Sequence, residues 1–484
     1  MSEGIKNKTV KGVSWSFIDN IANQGISFII GLVLARLLTP DEYGLIGIIM
    51  IFIALFNSIV DSGFSSALIR KHDIKDEDYN TVFITNLLIS IFLFVTLYIC
   101  APLIAILFKQ PQLTVLTRTM GIIVIINALA IIQRTRLVKS INFKTQAKIS
   151  LIASIVSGII GVSMAICELG VWSLVGQQIS RQVINTVLLW IYNKWFPKFQ
   201  FSKKAFKELF GFGWKLLVSG LIDTIWKDLY QIVIAGFYSP AILGFYSRAH
   251  QFGQLFSSNI NNNVQRVSYP VLSSIQNDKQ YLKEGYRKII KTSMLVTFIL
   301  MIGLAAIAKP MILVLIGEEW LQSVPMLQIL CFSMMLYPLH SLNLNMLQVQ
   351  GRSDLFLRLE IIKKIIAIGP LLLGIFIDIY LMLFGSLVTS WICLYINACY
   401  SGPFLKYSIL EQFKDILPSL GIAITIAAII FPISLLPISP FYQLSLQIII
   451  GAIVAISLLE YTKLDAYKEI KKIVMPIIYK LRRK

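Results

Sequence analysis

The sequence is poor in the side chains and motifs that enzymes use for catalysis. Its 484 residues include only three histidines, and 25 acidic residues stand against 44 lysines and arginines. The five cysteines lie in or beside apolar runs, without the spacing of a metal site or a redox pair. No phosphate-binding loop, nucleophile elbow or His-Glu-x-x-His sequence occurs. We therefore expect neither an enzyme nor a resident metal or cofactor.

Long apolar runs dominate what is present. Hydrophobic residues make up 56% of the chain, and the mean hydropathy is +0.74. Since about 20 apolar residues in a helix cross the hydrocarbon core of a bilayer, the runs predict an all-α polytopic membrane protein with about 14 transmembrane helices. The fourteen runs cover 13–37, 44–68, 81–108, 115–133, 149–167, 170–193, 211–236, 244–265, 292–316, 325–347, 359–377, 380–401, 418–436 and 442–461.

The net charge of +19 could indicate nucleic-acid binding, but the distribution of the basic residues argues otherwise. With a cytoplasmic N-terminus, 36 of the 44 lysines and arginines fall in cytoplasmic segments, and only Lys109 falls in a loop on the other side. This asymmetry is typical of multi-pass membrane proteins and requires an even number of spans. We expect a multi-pass membrane protein with both termini in the cytoplasm. Its basic surface would face anionic lipid headgroups and no nucleic acid.

An internal repeat of about 200 residues divides the chain. Pro40 and Gly44, in a short turn between two apolar runs, correspond to Pro240 and Gly244. Each repeat contains an even number of predicted spans, so the two halves have the same orientation in the membrane. We predict two parallel six-helix repeats around a central polar cavity, plus a C-terminal helix pair. The predicted segments are an N-terminal bundle at 1–200, a second bundle at 201–402, a transmembrane hairpin at 403–462 and a basic cytoplasmic tail at 463–484.

Polar side chains recur within several predicted spans, mostly at four-residue intervals that place them on one helix face. Ionisable groups inside a membrane normally face a protein interior or a wet cavity. Four of them are candidate cavity cations for an anionic headgroup, because guanidinium and ammonium groups bind phosphate. These are Arg181, Lys215, Lys227 and Arg248. The candidates for polar contacts or for coupling to H⁺ or Na⁺ are Asp19, Asn23, Asp61, Asp223, Gln177 and Gln251.

Plainer interpretations stay open for some of these residues. Asp223 and Lys227 have the spacing and order of an ordinary ion pair within one helix. Asp61 could bind backbone amides near a helix end instead of a coupling ion. His340 lies in an apolar run, where a hydrogen-bonded core histidine is a simpler interpretation than a ligand.

Four segments resemble the polysaccharide transporter family, which contains the Wzx-type flippases of the multidrug/oligosaccharidyl-lipid/polysaccharide superfamily. They are Lys11-Gly12-Val13-Ser14-Trp15, the turn from Leu34 to Gly44, Asp61-Ser62-Gly63-Phe64, and Gln133-Arg134 with Phe143-Lys144. The resemblance implies alternating-access flipping of undecaprenyl-pyrophosphate-linked oligosaccharides, such as O-antigen, capsule or exopolysaccharide units, often driven by H⁺ or Na⁺. Related lipid II flippases use arginines near the first, second and eighth spans, and only Arg248 matches that pattern.

Two other functions stay open at this stage. A multidrug or small-molecule exporter of the same superfamily would share the architecture. A membrane polysaccharide polymerase or glycosyltransferase is a more distant alternative, since the predicted outer loops are too short for a catalytic domain. The expected partners are a lipid-linked oligosaccharide, membrane lipids and polysaccharide polymerase or export machinery, and we expect a monomer.

Overall fold

The computed structural model describes residues 19, 22–61, 63–71 and 73–482 of the chain. Within these residues all regular secondary structure is helical, which confirms the all-α prediction. The chain separates into two compact units, with the boundary between Gly244 and Phe245. The sequence predicted boundaries at 200, 402 and 462, between the two repeats, the C-terminal hairpin and the tail. These boundaries stay predictions.

The N-terminal unit contains nine helices within the described residues and the first turn of a tenth. The nine are α1 (Ala22–Leu37), α2 (Pro40–Asp61), α3 (Phe64–Arg70), α4 (Asp76–Leu107), α5 (Leu113–Met120), α6 (Ile122–Lys139), α7 (Phe143–Ile166), α8 (Val171–Asn193) and α9 (Lys203–Phe237). The tenth, α10 (Pro240–Ser274), continues into the C-terminal unit.

The C-terminal unit contains the rest of α10 and nine further helices within the described residues. Its remaining helices are α11 (Lys279–Leu315), α12 (Ser323–Met334), α13 (Tyr337–Val349), α14 (Ser353–Ile366), α15 (Ile368–Phe376), α16 (Ile379–Leu405), α17 (Ile409–Ile430), α18 (Pro440–Thr462) and α19 (Asp465–Arg482). Short 3₁₀ turns occur at Glu318–Trp320 and Phe431–Leu435. The break between α5 and α6 has its counterpart between α12 and α13.

Ten helical segments of the described chain are long and apolar enough to span a membrane. The polytopic membrane class is thereby supported, but the count of fourteen stays a prediction. The four predicted runs outside this set coincide with α1, α8, α10 and the pair α14–α15. Of these, α8 and α10 carry many amide and basic side chains, which lower their hydropathy although they are helical.

Polar residues just before α7 and α9 explain where these two helices begin. The hydroxyl of Ser202 accepts a hydrogen bond from the Ala205 amide at the start of α9. Asn142 does the same for the Thr145 amide at the start of α7. These N-caps satisfy amide groups that have no partner within the helix.

The repeated turns contact each other through backbone atoms. An ideal Cβ added to Gly44 would lie 1.8 Å from the carbonyl oxygen of Pro240. Reciprocally, a Cβ added to Gly244 would lie 2.1 Å from the carbonyl oxygen of Pro40. The first turns of α2 and α10 are therefore packed closely enough that only glycine fits at either position.

The segment between α8 and α9 is tied to the N-terminal unit by side chains. The Gln133 Nε2 atom donates to the Trp195 carbonyl oxygen at 2.9 Å. The amides of Lys198 and Ser202 donate to Asn80 Oδ1 at 2.9 Å and to Thr81 Oγ1 at 3.0 Å. Since these bonds satisfy backbone groups along the connection, it follows a fixed path to α9.

In the C-terminal unit α11 packs against both α17 and α18. Near the start of α11, Arg287 donates two hydrogen bonds to Asp415 of α17, at 2.7 and 2.8 Å. Lys291 adds a third contact at 3.1 Å, and the Tyr407 hydroxyl donates to the same carboxylate at 2.7 Å. The apolar contact between Ala306 and Ile422, Ile426 and Ile430 continues this interface.

We predict that Gly44→Ala lowers the thermal stability of the purified protein in detergent, because the new methyl group collides with a carbonyl oxygen rather than with a movable side chain. Overpacking of this kind costs about 1–3 kcal/mol. Gly236→Ala is the matched control, since a Cβ at Gly236 of α9 meets nothing within 4 Å. A melting temperature of Gly44→Ala equal to that of the control would contradict the close packing of the two turns.

Candidate functional site

A chain of hydrogen-bonded amide side chains crosses three helices of the N-terminal unit. Asn127 of α6 donates to Asn57 Oδ1 of α2 at 3.0 Å, and Gln182 of α8 donates to Asn127 Oδ1 at 3.0 Å. We call these three residues the amide chain. They lie on half-buried helix faces, where polar groups must find partners to offset their desolvation. The amide chain therefore fixes the relative register of α2, α6 and α8.

An aspartate and an arginine lie beyond the amide chain in the same direction along α2 and α6. Asp61 is the last residue of α2, and the Ser65 hydroxyl donates to its Oδ1 atom at 2.5 Å. Arg134 of α6 lies close enough to Asp61 for the two charges to attract each other. Seven residues of helix separate Arg134 from Asn127, which corresponds to about 10 Å. The polar side chains of α2 and α6 are thus neutral at the amide chain and charged at Asp61 and Arg134.

Arg134 is held in place by its neighbour in the sequence. Gln133 is fully buried, and Asn193 of α8 donates to both the backbone and the side-chain oxygen of Gln133, at 2.9 and 2.8 Å. These bonds anchor the end of α6 against α8. In the sequence Gln133-Arg134 is part of the family resemblance, and Arg134 follows the predicted span 115–133. In the structure α6 continues past Arg134 to Lys139.

Arg181 lies on α8 beside the amide chain, one residue before Gln182. It is half-buried, and Gln177 occupies the same face one turn earlier, packed against Gly161 of α7. Among the residues that the structure describes, neither Arg134 nor Arg181 makes a hydrogen bond or a direct ion pair. Two guanidinium groups in the N-terminal unit thus keep their donors available, the arrangement that an anionic ligand requires.

Asp19 and Asn23 have partners on a neighbouring helix. The Ser150 hydroxyl of α7 donates to Asp19 Oδ1 at 2.6 Å, and the Ser154 hydroxyl donates to Asn23 Oδ1 at 2.8 Å. Asn23 Nδ2 also donates to Ser150 Oγ at 2.8 Å and to the Asp19 carboxylate. Asp19 and Asn23 therefore face α7 and bind its serines. A role of either residue in ion coupling stays a prediction.

The predicted residues of α9 are exposed. Asp223 and Lys227 form an ion pair of 2.7 Å within the helix, as their four-residue spacing in the sequence suggested. Their side chains are 61% and 71% exposed, and Lys215 is also exposed. An ion pair this accessible on a membrane helix requires contact with water or a polar ligand.

Arg248 and Gln251 contact each other in the C-terminal unit. Arg248 Nη1 donates to Gln251 Oε1 at 2.5 Å, and the guanidinium group lies 5.8 Å from the centre of the Trp320 ring. Arg248 is 8% exposed, and Trp320 is fully buried. The arginine is thus part of the packing of its unit, and a direct role in substrate binding stays a prediction.

His340 has partners on both ring nitrogens. Nε2 lies 3.1 Å from Ser390 Oγ, and Nδ1 lies 3.2 Å from Asn397 Nδ2. A satisfied core histidine is therefore the interpretation that the structure favours. In the described part of the chain, no group of three or more His, Cys, Asp or Glu side chains could hold a metal ion.

A family model described as "Polysaccharide biosynthesis protein" matches residues 33–325, more than half of the chain. The teichuronic acid biosynthesis protein TuaB of Bacillus subtilis (strain 168) is 27% identical over 72% of this chain and 73% of its own. The succinoglycan biosynthesis transport protein ExoT of Rhizobium meliloti (strain 1021) is 25% identical, over 82% and 80%. The lipopolysaccharide biosynthesis protein WzxC of Escherichia coli (strain K12) is 22% identical, over 76% of each chain.

Solved structures identify the same fold. The lipid II flippase MurJ in an inward closed conformation superimposes with a TM-score of 0.73 and 17% identity, over 94% of this chain and 98% of MurJ. An inward-facing multidrug resistance transporter of the MATE family, from the MOP superfamily, gives 0.57 and 16% identity, over 81% and 99%. The chain thus has a MurJ- and MATE-like transporter fold, and it belongs to the polysaccharide biosynthesis protein family.

Proposed function

We propose that this protein flips undecaprenyl-pyrophosphate-linked oligosaccharides across the bacterial plasma membrane by alternating access. The observation that supports this proposal most directly is the pair Arg134 and Arg181, whose guanidinium groups make no hydrogen bond and no direct ion pair among the described residues. A bare cation inside a membrane protein is costly unless a ligand or water stabilises it. Family membership and the relatives named for transport or biosynthesis of polysaccharides support the same substrate class.

Pyrophosphate suits such a site better than a neutral or cationic solute does. A guanidinium group can donate two parallel hydrogen bonds to one phosphate, and a charge-assisted bond is stronger than a neutral one. The amide chain, which lies next to Arg181, offers additional donors and acceptors for sugar hydroxyls. A multidrug exporter with the same MATE-like fold is the alternative. The guanidinium groups of Arg134 and Arg181, however, would repel the cationic drugs that many exporters carry.

The orientation in the membrane and the partners belong to the same proposal. The concentration of basic residues on one side supports cytoplasmic termini. The contact between the turns at Pro40 and Pro240 would then lie on the outer side of the membrane. We further propose that the protein works as a monomer and delivers its substrate to polysaccharide polymerase or export machinery.

Energy for concentrative transport would come from a gradient of H⁺ or Na⁺. Asp61 is the candidate coupling residue, because its carboxylate is half-buried and lies near Arg134. Binding of an anion by Arg134 would weaken the attraction between the two side chains. Asp61 would then take up a cation more readily, which couples the two ligands.

The central experiment reconstitutes the purified protein in liposomes and follows a fluorescent undecaprenyl-pyrophosphate-linked oligosaccharide from one leaflet to the other. Transfer above the rate of empty liposomes supports the proposal. Transfer of a cationic dye without transfer of the lipid-linked sugar would favour the exporter instead.

We predict that Arg134→Ala and Arg181→Ala each slow this transfer by about tenfold or more, since each removes charge-assisted hydrogen bonds to the pyrophosphate worth about 1.5–3 kcal/mol. Arg→Lys at either position should restore part of the rate, because the charge remains and the bidentate geometry is lost. Arg118→Ala is the control, since Arg118 of α5 lies over the ring of Tyr98 in α4. Wild-type rates in both alanine variants would refute the pyrophosphate site.

We predict that Asp61→Asn abolishes gradient-driven accumulation but leaves exchange down a substrate gradient, because the amide cannot bind a proton or a sodium ion electrostatically. Imposing a pH gradient and a Na⁺ gradient separately on the same liposomes identifies the coupling ion. Asp41→Asn is the control, as Asp41 is exposed in the first turn of α2. Undiminished accumulation in Asp61→Asn would exclude Asp61 as the coupling group.

A further inference from the structure

Helix α9 has one face that packs against protein. Its Gly213 lies so close to Gly63 that a Cβ on Gly63 would be 2.5 Å from the Gly213 carbonyl oxygen. About two turns later, Gly220 faces Ser58 of α2, where a Cβ would lie 3.6 Å from the hydroxyl oxygen. Small residues on this face let α9 approach the helices of the N-terminal unit closely, and the rest of its circumference stays accessible.

A second face of α9 is apolar and exposed. Trp214, Val218, Ile222 and Ile225 are between 42% and 51% exposed. Their spacing of three and four residues places them on one stripe, which extends for about 16 Å along the helix. In a membrane an exposed aliphatic stripe is covered by hydrocarbon, and we name these four residues the apolar track.

A third face is polar and exposed. Lys215, Ser219, Asp223 and Lys227 follow one another at four-residue intervals, and all four side chains are exposed. We name them the polar track. Lys215, Ser219 and Asp223 each come one position after a residue of the apolar track, and one residue turns a helix by about 100°. The two tracks therefore run side by side along the same helix.

The exposed apolar stripe of α18 lacks such a neighbour. In α18, Ile449, Ile453 and Ile456 are also more than half exposed, but the amide side chains of that helix, Gln443 and Gln447, are buried. The stripe on α18 therefore has the character of an ordinary lipid-facing surface. On α9, by contrast, hydrocarbon-covered and water-requiring surfaces adjoin over about 16 Å, roughly half of the apolar thickness of a bilayer.

We propose that α9 guides an amphiphilic substrate across the membrane by its two tracks, with the anionic head on the polar track and the polyisoprenoid tail on the apolar track. The proposal rests on the function proposed above and adds the part of the protein that recognises the tail. The polar track carries two cations and one anion, a balance that favours an anionic head. Because the tracks adjoin, head and tail can advance together while each stays in its preferred solvent.

The test compares Ile222→Gln with the matched control Ile453→Gln in α18, where the isoleucine is 58% exposed against 51% for Ile222. Both proteins are reconstituted and assayed with two probes. One is an undecaprenyl-pyrophosphate-linked sugar, and the other carries the same head on a two-isoprene tail. We expect Ile222→Gln to slow the long-tailed probe about fivefold or more, because a side-chain amide that meets hydrocarbon loses hydrogen bonds. The short-tailed probe and the control variant should stay within about twofold of wild type.

Each other outcome has a definite meaning. If the wild-type protein moves neither probe above empty liposomes, the proposed function fails. If it moves both and Ile222→Gln matches Ile453→Gln, the apolar track is overturned and the proposed function stands. Equal slowing of both probes also overturns it, since the effect would then not depend on the tail.

A second measurement covers the case in which Ile222→Gln does not fold. The photoreactive residue p-benzoylphenylalanine replaces Ile222 or, as control, Ile453, and the protein is illuminated in liposomes that contain a trace of the radiolabelled long-tailed probe. Labelling at position 222 should exceed labelling at position 453 by about fivefold or more, since a guided tail spends more time there than bulk lipid does. Equal labelling at the two positions would overturn the proposal.

Discussion

The reciprocal contact between Gly44 and Pro240, and between Gly244 and Pro40, is the constraint on which the arrangement of α9 depends. It is made by backbone atoms, so no side-chain rotation can adapt it. α9 ends at Phe237, just before this contact, and it begins at Lys203, just after a connection that side chains hold in place. Both ends of α9 are thereby fixed to the N-terminal unit, and its middle can expose both tracks without losing its position.

The charges of the membrane helices are stabilised in three different ways. Asp415 is surrounded by donors from Arg287, Lys291 and Tyr407, which makes it a structural centre of the C-terminal unit. Asp223 and Lys227 neutralise each other at the surface of α9. Arg134 and Arg181 make no hydrogen bond and no direct ion pair among the described residues, and Arg134 is attracted only by the more distant charge of Asp61. The first two arrangements stabilise the fold as it stands, whereas the third becomes stable only when something else supplies an anion or water.

How much the sequence predicts depends on whether a feature is local. The repeat, the all-α class and the polar stripes were predictable, because turn residues and four-residue spacings are written in consecutive positions. The helix that each stripe faces was not predictable, because it can lie far away in the sequence. Asp19 and Asn23 bind serines of α7 more than 120 positions away. Arg134 escaped detection for a related reason. Hydropathy falls at Gln133-Arg134-Thr135-Arg136, which suggests a loop, but the buried Gln133 holds Asn193 and α6 continues to Lys139.

The two-sided exposure of α9 bears on the difference between a lipid flippase and an exporter of soluble compounds. A polar solute needs only a wet path, and any hydrocarbon-facing stripe beside that path would serve no purpose in its transport. A lipid-linked sugar has a head that must stay in water and a tail that must stay in hydrocarbon, so its path has to lie along a boundary between the two. Ile222 and Asp223 are adjacent in the sequence, and each is more than half exposed. That pair of neighbours, on a helix fixed at both ends, supplies such a boundary inside a single element.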